Sequence, residues 1–132
     1  MKENDIIEVV RNVIKVHPEI KLAYLFGSQA TGRTGDLSDF DFAFYVDEKN
    51  THKLYDLKFI LGDKISRALK TDKIDIIILN LIGSPELKYN IIKEGRLLHS
   101  EEPFKVLIEP RILNEYFDFH DLLARYKLTK AG

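Results

Sequence analysis

A mixed α/β (α+β) domain built on a small sheet is the fold class this sequence predicts. Three stretches carry apolar residues at helical spacing and a fourth opens on a Ser-Pro cap, residues 40–46 alternate strictly, and residues 74–79 form a short β-branched run. The predicted order is helix, strand, strand, helix, strand, helix, short strand, helix. Such an order gives a small mixed sheet with helices mainly on one face and the other face left open for a site.

Each element has its own signal. Ile6, Val9, Val10, Val13 and Ile14 give an amphipathic helix over 4–16, with Asn4 or Asp5 as its cap and Pro18 as its stop. Leu22 to Phe26 is a short apolar strand that ends at Gly27. Gln29 to Ser38 is rich in glycine and small polar residues and reads as loop, or as a short helical turn followed by loop. Phe40, Phe42, Phe44 and Val46 then fall on one face of a strand, and Asp39, Asp41, Ala43 and Tyr45 on the other. The aromatic face is expected to be buried and the carboxylate face to look outward.

Leu54, Leu57, Ile60, Leu61, Ile65, Ala68 and Leu69 stripe a helix over about 51–70. Ile74 to Leu79 reads as a strand buried on both faces, apart from the charge of Asp75. Ser84 and Pro85 open a helix that runs to about Lys93, Gly95 stops it, and Arg96 to His99 is a short strand. The last helical region spans 104–128; Ile108, Ile112, Leu113, Tyr116, Phe117, His120, Leu123 and Ala124 make its apolar face, and Pro110 is expected to split it. With 132 residues, the chain reads as a single domain over 1–132.

Composition excludes several classes. Twenty basic residues face 21 acidic ones, so the chain lacks the cationic excess of a protein that lives on nucleic acid, and no direct nucleic-acid binding is expected. It has no cysteine for disulfides or thiolate metal sites, and its four histidines show no ligand spacing. Met1 to Asp5 carries no apolar signal core and no run is long enough to span a bilayer, so no membrane association and a cytoplasmic location are expected.

The chemistry concentrates between Gly27 and Phe42. Residues two apart on a strand point the same way with Cα atoms roughly 6.5–7 Å apart, so Asp39 and Asp41 can converge. Two carboxylates that close repel, and a hard cation removes the conflict. Magnesium suits them, because it shares oxygen ligands between one or two carboxylates, water and substrate phosphates. Asp75 interrupts an apolar strand, where an unpaired charge costs several kcal/mol. A partner is therefore expected for it, and the same metal site supplies one if the two strands are neighbours. Three aspartates suit two Mg2+ ions and in-line displacement at phosphorus, with Asp75 placed to take the acceptor's proton. Gly27 lets backbone approach a phosphate, and Ser28 offers an N–H and a hydroxyl. Arg33 is open between steering phosphate, meeting a partner and lying solvated in the loop. A Gly-Ser turn or an Asp pair alone is commonplace; their combination with Asp75 is what points to a metal-bound nucleoside triphosphate.

Gly27-Ser28, ten residues, Asp39-Phe40-Asp41 and then Asp75 on a later strand resembles the palm-like nucleotidyltransferase fold of the DNA polymerase beta superfamily. The fuller text, Gly27-Ser28-x-Ala30-x-Gly32 with Leu37-Ser38-Asp39-x-Asp41-Phe42-Ala43, is similar to the minimal nucleotidyltransferases, the MntA-like antitoxins of HEPN/MNT toxin–antitoxin pairs. Glu94-Gly95-Arg96-Leu97-Leu98 and the helix carrying Tyr116-Phe117-Asp118-Phe119 extend the likeness over nearly the whole chain. The chain departs from the family at Thr31, where a basic residue is frequent; Arg33 lies beyond the second glycine. The resemblance implies that Gly27 and Ser28 bind ATP and that Asp39, Asp41 and Asp75 ligate Mg2+. It also implies transfer of AMP to a tyrosine of a cognate HEPN ribonuclease toxin, which is thereby neutralised within a hetero-oligomer. The competing expectations are nucleotidyl transfer to a small molecule of aminoglycoside type, and a non-catalytic antitoxin that acts by occlusion. For a protein acceptor, exposed members of the last helix and the loop from Gly32 to Leu37 are the expected docking surface.

Overall fold

The computed structural model describes residues 3–27 and 40–126. The elements are α1 (Glu3–Ile14), β1 (Ile20–Phe26), β2 (Phe40–Val46), α2 (Thr51–Leu69), β3 (Ile74–Ile78), α3 (Pro85–Glu94), β4 (Arg96–Ser100) and α4 (Phe104–Arg125), with a 3-10 turn at Leu79–Leu81 after β3. The four strands form one sheet in the order β3-β2-β1-β4. β1 is antiparallel to both β2 and β4, whereas β2 and β3 are parallel. A parallel pair needs a crossover, and α2 provides it.

Local chemistry sets most boundaries. Asn50 caps α2 by accepting a hydrogen bond from the Lys53 N–H at 3.1 Å, and Lys70 closes the helix in the left-handed region at φ 57°. Ser84 caps α3 by accepting from the Leu87 N–H at 3.2 Å; Pro85 fills the first turn, where its missing N–H costs nothing. The C-terminal end of β3 is tied to β2 through a side chain. Asn80 accepts from the Val46 N–H at 3.0 Å through Oδ1 and donates from Nδ2 to the Val46 carbonyl at 2.7 Å.

Two apolar clusters sandwich the sheet. On one face α1 and α2 bury Ile6, Val10, Leu61 and Ile65 against Phe42, Phe44, Ile76 and Ile78. On the other, α3 and α4 set Ile91, Ile108 and Ile112 against Leu22, Tyr24 and Ala43. The second face is thus less open than the sequence suggests: helices cover its middle, while the end bearing Asp41 and Asp75 stays accessible, Asp41 half-buried and Asp75 exposed.

Three further expectations are corrected. β3 is an edge strand and is not buried on both faces: Ile76 and Ile78 are buried toward α1 and α2, whereas on the other face Asp75 is exposed and Ile77 only half-buried. Pro110 does not split α4, which is continuous from Phe104 to Arg125. Proline removes the N–H that would serve the Val106 carbonyl, and both residues lie on the exposed side of the helix. Phe117 and Ala124 of the expected apolar face of α4 are exposed, as are Ile60 and Ala68 of the α2 stripe.

Candidate functional site

The site is organised by the register of β2 with its two neighbours. Asp41 pairs with Phe26 of β1 on one side and with Asp75 of β3 on the other. In-register residues of neighbouring strands project to the same face with Cα atoms about 4.8 Å apart. The clusters confirm the side: Ala43 and Ile77, two residues further along β2 and β3, both belong to the α3/α4 face. The carboxylates of Asp41 and Asp75 therefore share one face, at the end of the sheet where β1 finishes.

Gly27 completes the described part. It follows β1 directly and takes φ +81°, a conformation that side chains rarely adopt. A Cβ built on it would collide with Oδ2 of Asp41. The turn and the carboxylate are in van der Waals contact, and only glycine allows both the backbone conformation and the approach. A short backbone unit thus lies against an anionic oxygen.

Of the residues singled out by sequence, Gly27, Asp41 and Asp75 are brought together here. Ser28, Arg33 and Asp39 lie outside the described residues, as does the loop Gly32–Leu37. The reason first given for Asp75 needs correction. On an exposed edge strand its charge is solvated, so burial does not demand a partner; the register with Asp41 is what places it in the site. Among the described residues no three His, Cys, Asp or Glu side chains converge as a metal site. The two that pair are nevertheless of the right type for magnesium: hard oxygen donors on adjacent strands, open to solvent on one side.

The structure adds supports that no local pattern announces. Tyr24, three residues before Gly27, is buried, and its hydroxyl donates to Oε2 of Glu109 on α4 at 2.6 Å. Burial, then the Glu109 carboxylate, pushes the Tyr24 hydroxyl far above the usual tyrosine range, so it remains a donor. Lys88 of α3 pairs with Glu115 of α4 at 2.8 Å, and Tyr89 stacks on Tyr116 with ring centroids 3.8 Å apart. These contacts bind the α3/α4 layer under the β1 strand that delivers Gly27. Tyr24 and Glu109 are 85 residues apart, beyond the reach of any periodicity argument. On α4, Phe117, Leu122 and Tyr126 stand exposed.

Known proteins resemble this chain in sequence and in fold. The chain is 34% identical over 92 residues to the protein adenylyltransferase MntA of Aphanizomenon flos-aquae, covering 64% of this chain; it spans about three fifths of that relative, 59%. A crystal structure of a toxin–antitoxin with AMP-PNP superposes with a TM-score of 0.72 at 25% identity, over 97% of this chain and 94% of that one. A mutant MntA–HpeT toxin–antitoxin gives 0.69 at 26% identity, again over 97% and 94%. No helix among the described residues is long and apolar enough to cross a membrane. Residues 8–104, which run from α1 through β4 and include Gly27, Asp41 and Asp75, match the family described as polymerase beta, nucleotidyltransferase; the chain belongs to that family.

Proposed function

We propose that this chain is an antitoxin nucleotidyltransferase that transfers AMP from ATP to a tyrosine hydroxyl of a cognate HEPN-type toxin in the cytoplasm. The observation that carries it is the in-register pair Asp41 and Asp75, with the Gly27 backbone held against Asp41. Family membership supports nucleotidyl transfer, and the likeness to an adenylyltransferase and to a toxin–antitoxin with AMP-PNP supports the nucleotide and the class of partner.

In this reading Asp39, Asp41 and Asp75 would hold two Mg2+ ions, which would supply charge neutralisation for the triphosphate and a lowered pKa for the acceptor hydroxyl. Gly27 and Ser28 bind phosphate oxygens through a bend whose backbone comes close because no Cβ intervenes. Arg33 is a further candidate for phosphate contact. The tyrosine oxygen attacks the α-phosphorus, a new P–O bond forms, the bond to the β-phosphate bridging oxygen breaks, and pyrophosphate leaves. In the same reading Asp75, which is exposed, accepts the phenolic proton and releases it to solvent.

The test uses the purified chain with ATP labelled on the α-phosphate, magnesium and the HEPN-type partner. Label is expected on the partner, lost in Asp41→Ala. Label that persists in Asp41→Ala would overturn the site assignment. An unlabelled partner that is still neutralised would establish occlusion instead, and label on an aminoglycoside in place of the partner would establish a small-molecule acceptor.

A further inference from the structure

The sheet has two outer strands, and they are finished differently. At β4, Arg11 of α1 reaches over and donates from Nε to the Leu98 carbonyl at 3.2 Å, covering part of that edge. At β3 the Phe40 N–H donates to the Lys73 carbonyl at 2.9 Å. In a parallel ladder the residues facing a given neighbour alternate, so Lys73, Asp75 and Ile77 turn their backbone groups to β2. Ile74, Ile76 and Ile78 turn theirs outward, although the Ile78 carbonyl already accepts within the 3-10 turn that follows it. A row of outward N–H and C=O groups is a template for one kind of occupant, an extended chain.

Two adjoining depressions of about 360 and 190 Å3 follow this edge, one beside Ile74–Ile76, the other beside Ile77 and Ile78. Lys58 lines both, Asp63 and Ser66 line the first, and exposed apolar side chains stand along them: Phe59 is 76% exposed, Tyr55 49% and Leu87 37%. Single exposed apolar residues need no explanation, but three along one backbone edge match the alternate side chains of an added strand. One end of the trough is bordered by the exposed acids Asp72 and Asp75, which disfavour an acidic segment and favour a basic one. The other end is bordered by Leu87, whose neighbour Glu86 lies 3.5 Å from His120 of α4, next to the exposed part of that helix. The trough thus joins the expected docking helix to the site carboxylate.

We propose that the outer edge of β3 receives an extended segment of the acceptor protein as an added strand, with its apolar side chains on Phe59, Tyr55 and Leu87 and a basic residue at the Asp72 end. The inference rests on the reading of this chain as a protein-modifying transferase. Strand addition at this edge would deliver the acceptor to Asp75 in a fixed register.

The test is amide hydrogen exchange with and without the HEPN-type partner, alongside the label-transfer assay. Binding is expected to slow exchange at Ile74, Ile76 and Ile78 by about tenfold or more. The variant Phe59→Glu with Ile74→Pro removes one wall and one outward N–H. Proline is tolerated at the first residue of an edge strand and Phe59 is exposed; because Ile74 also packs on the core, Phe59→Glu alone is read beside the pair, and an unchanged thermal midpoint marks the variant as folded. It should weaken partner binding by about tenfold or more while leaving ATP binding unchanged. Partner binding with unaltered exchange at these amides overturns the proposal, as does failure of the partner to bind. Protection that appears in the chain alone as its concentration rises assigns the edge to a second copy and also overturns it. Protection without label leaves the docking intact and sinks the transfer reading, so the two failures are distinct.

Discussion

The two faces of β2 are made by alternate residues of one strand, yet they do opposite work. Toward α1 and α2, Phe40, Phe42 and Phe44 form a ladder with ring centroids 6.5 and 6.4 Å apart, and the last two are completely buried. Toward α3 and α4 stand Asp41, Ala43 and Tyr45, of which only Ala43 is fully buried. The first face holds free energy of folding; the second gives some up to keep a carboxylate beside a second carboxylate. Period-two geometry is what lets a strand keep these roles apart, because neighbours in sequence never share a face. A substitution on one face should therefore leave the other's task nearly untouched.

The sharpest check is Asp41→Asn, which keeps shape and removes the charge. Transfer activity should fall on the order of a thousandfold or more, since charge stabilisation at the reacting phosphate is worth several kcal/mol, while the thermal midpoint holds or rises as repulsion with Asp75 is relieved. A variant that unfolds instead would show that the two faces are not separable. Phe44→Ala is the converse: denaturant titration should show a loss of about 3–5 kcal/mol with activity per folded molecule retained. Gly27→Ala bridges the two tasks. The left-handed turn costs about 1–3 kcal/mol for a residue with a Cβ, and the collision with Asp41 should lower activity further than that instability explains. Tyr24→Phe strips a donor from the half-buried Glu109 and should cost about 1–2 kcal/mol with little effect on chemistry.

The smallest effect concerns His99 on β4, whose imidazole is held below the ordinary histidine range by burial first, with Arg11 and Lys21 acting in the same direction and Glu101 against. Because the unfolded chain then binds the proton more readily, stability is full above the ordinary histidine range and declines as pH falls through and below it. His99→Gln should flatten part of that decline in thermal scans from neutral to mildly acidic pH.

Much of the architecture was legible because it depends on short-range chemistry. The Ser84 cap with Pro85, the alternation of β2 and the Leu54–Leu69 stripe each carry their signal within a turn or two. Pro110 misled because a proline reads as a stop wherever it occurs, whereas here it and Val106 lie on the exposed side of a continuous helix. Asp75 misled in the opposite sense. A charge in a β-branched run suggests a buried anomaly, whereas the run is an edge strand and the charge is solvated.

By itself the sequence determined the element order, the two faces of β2 and the small-residue turn followed by carboxylates, since local sterics and side-chain period act on neighbours along the chain. Only the tertiary structure decided that β3 lies parallel to β2 with Asp75 opposite Asp41, that Gly27 touches Asp41, and that α4 is tethered to β1 through Tyr24 and Glu109. Register and layer packing are set by burial summed over the whole domain, and no window of the chain contains that sum.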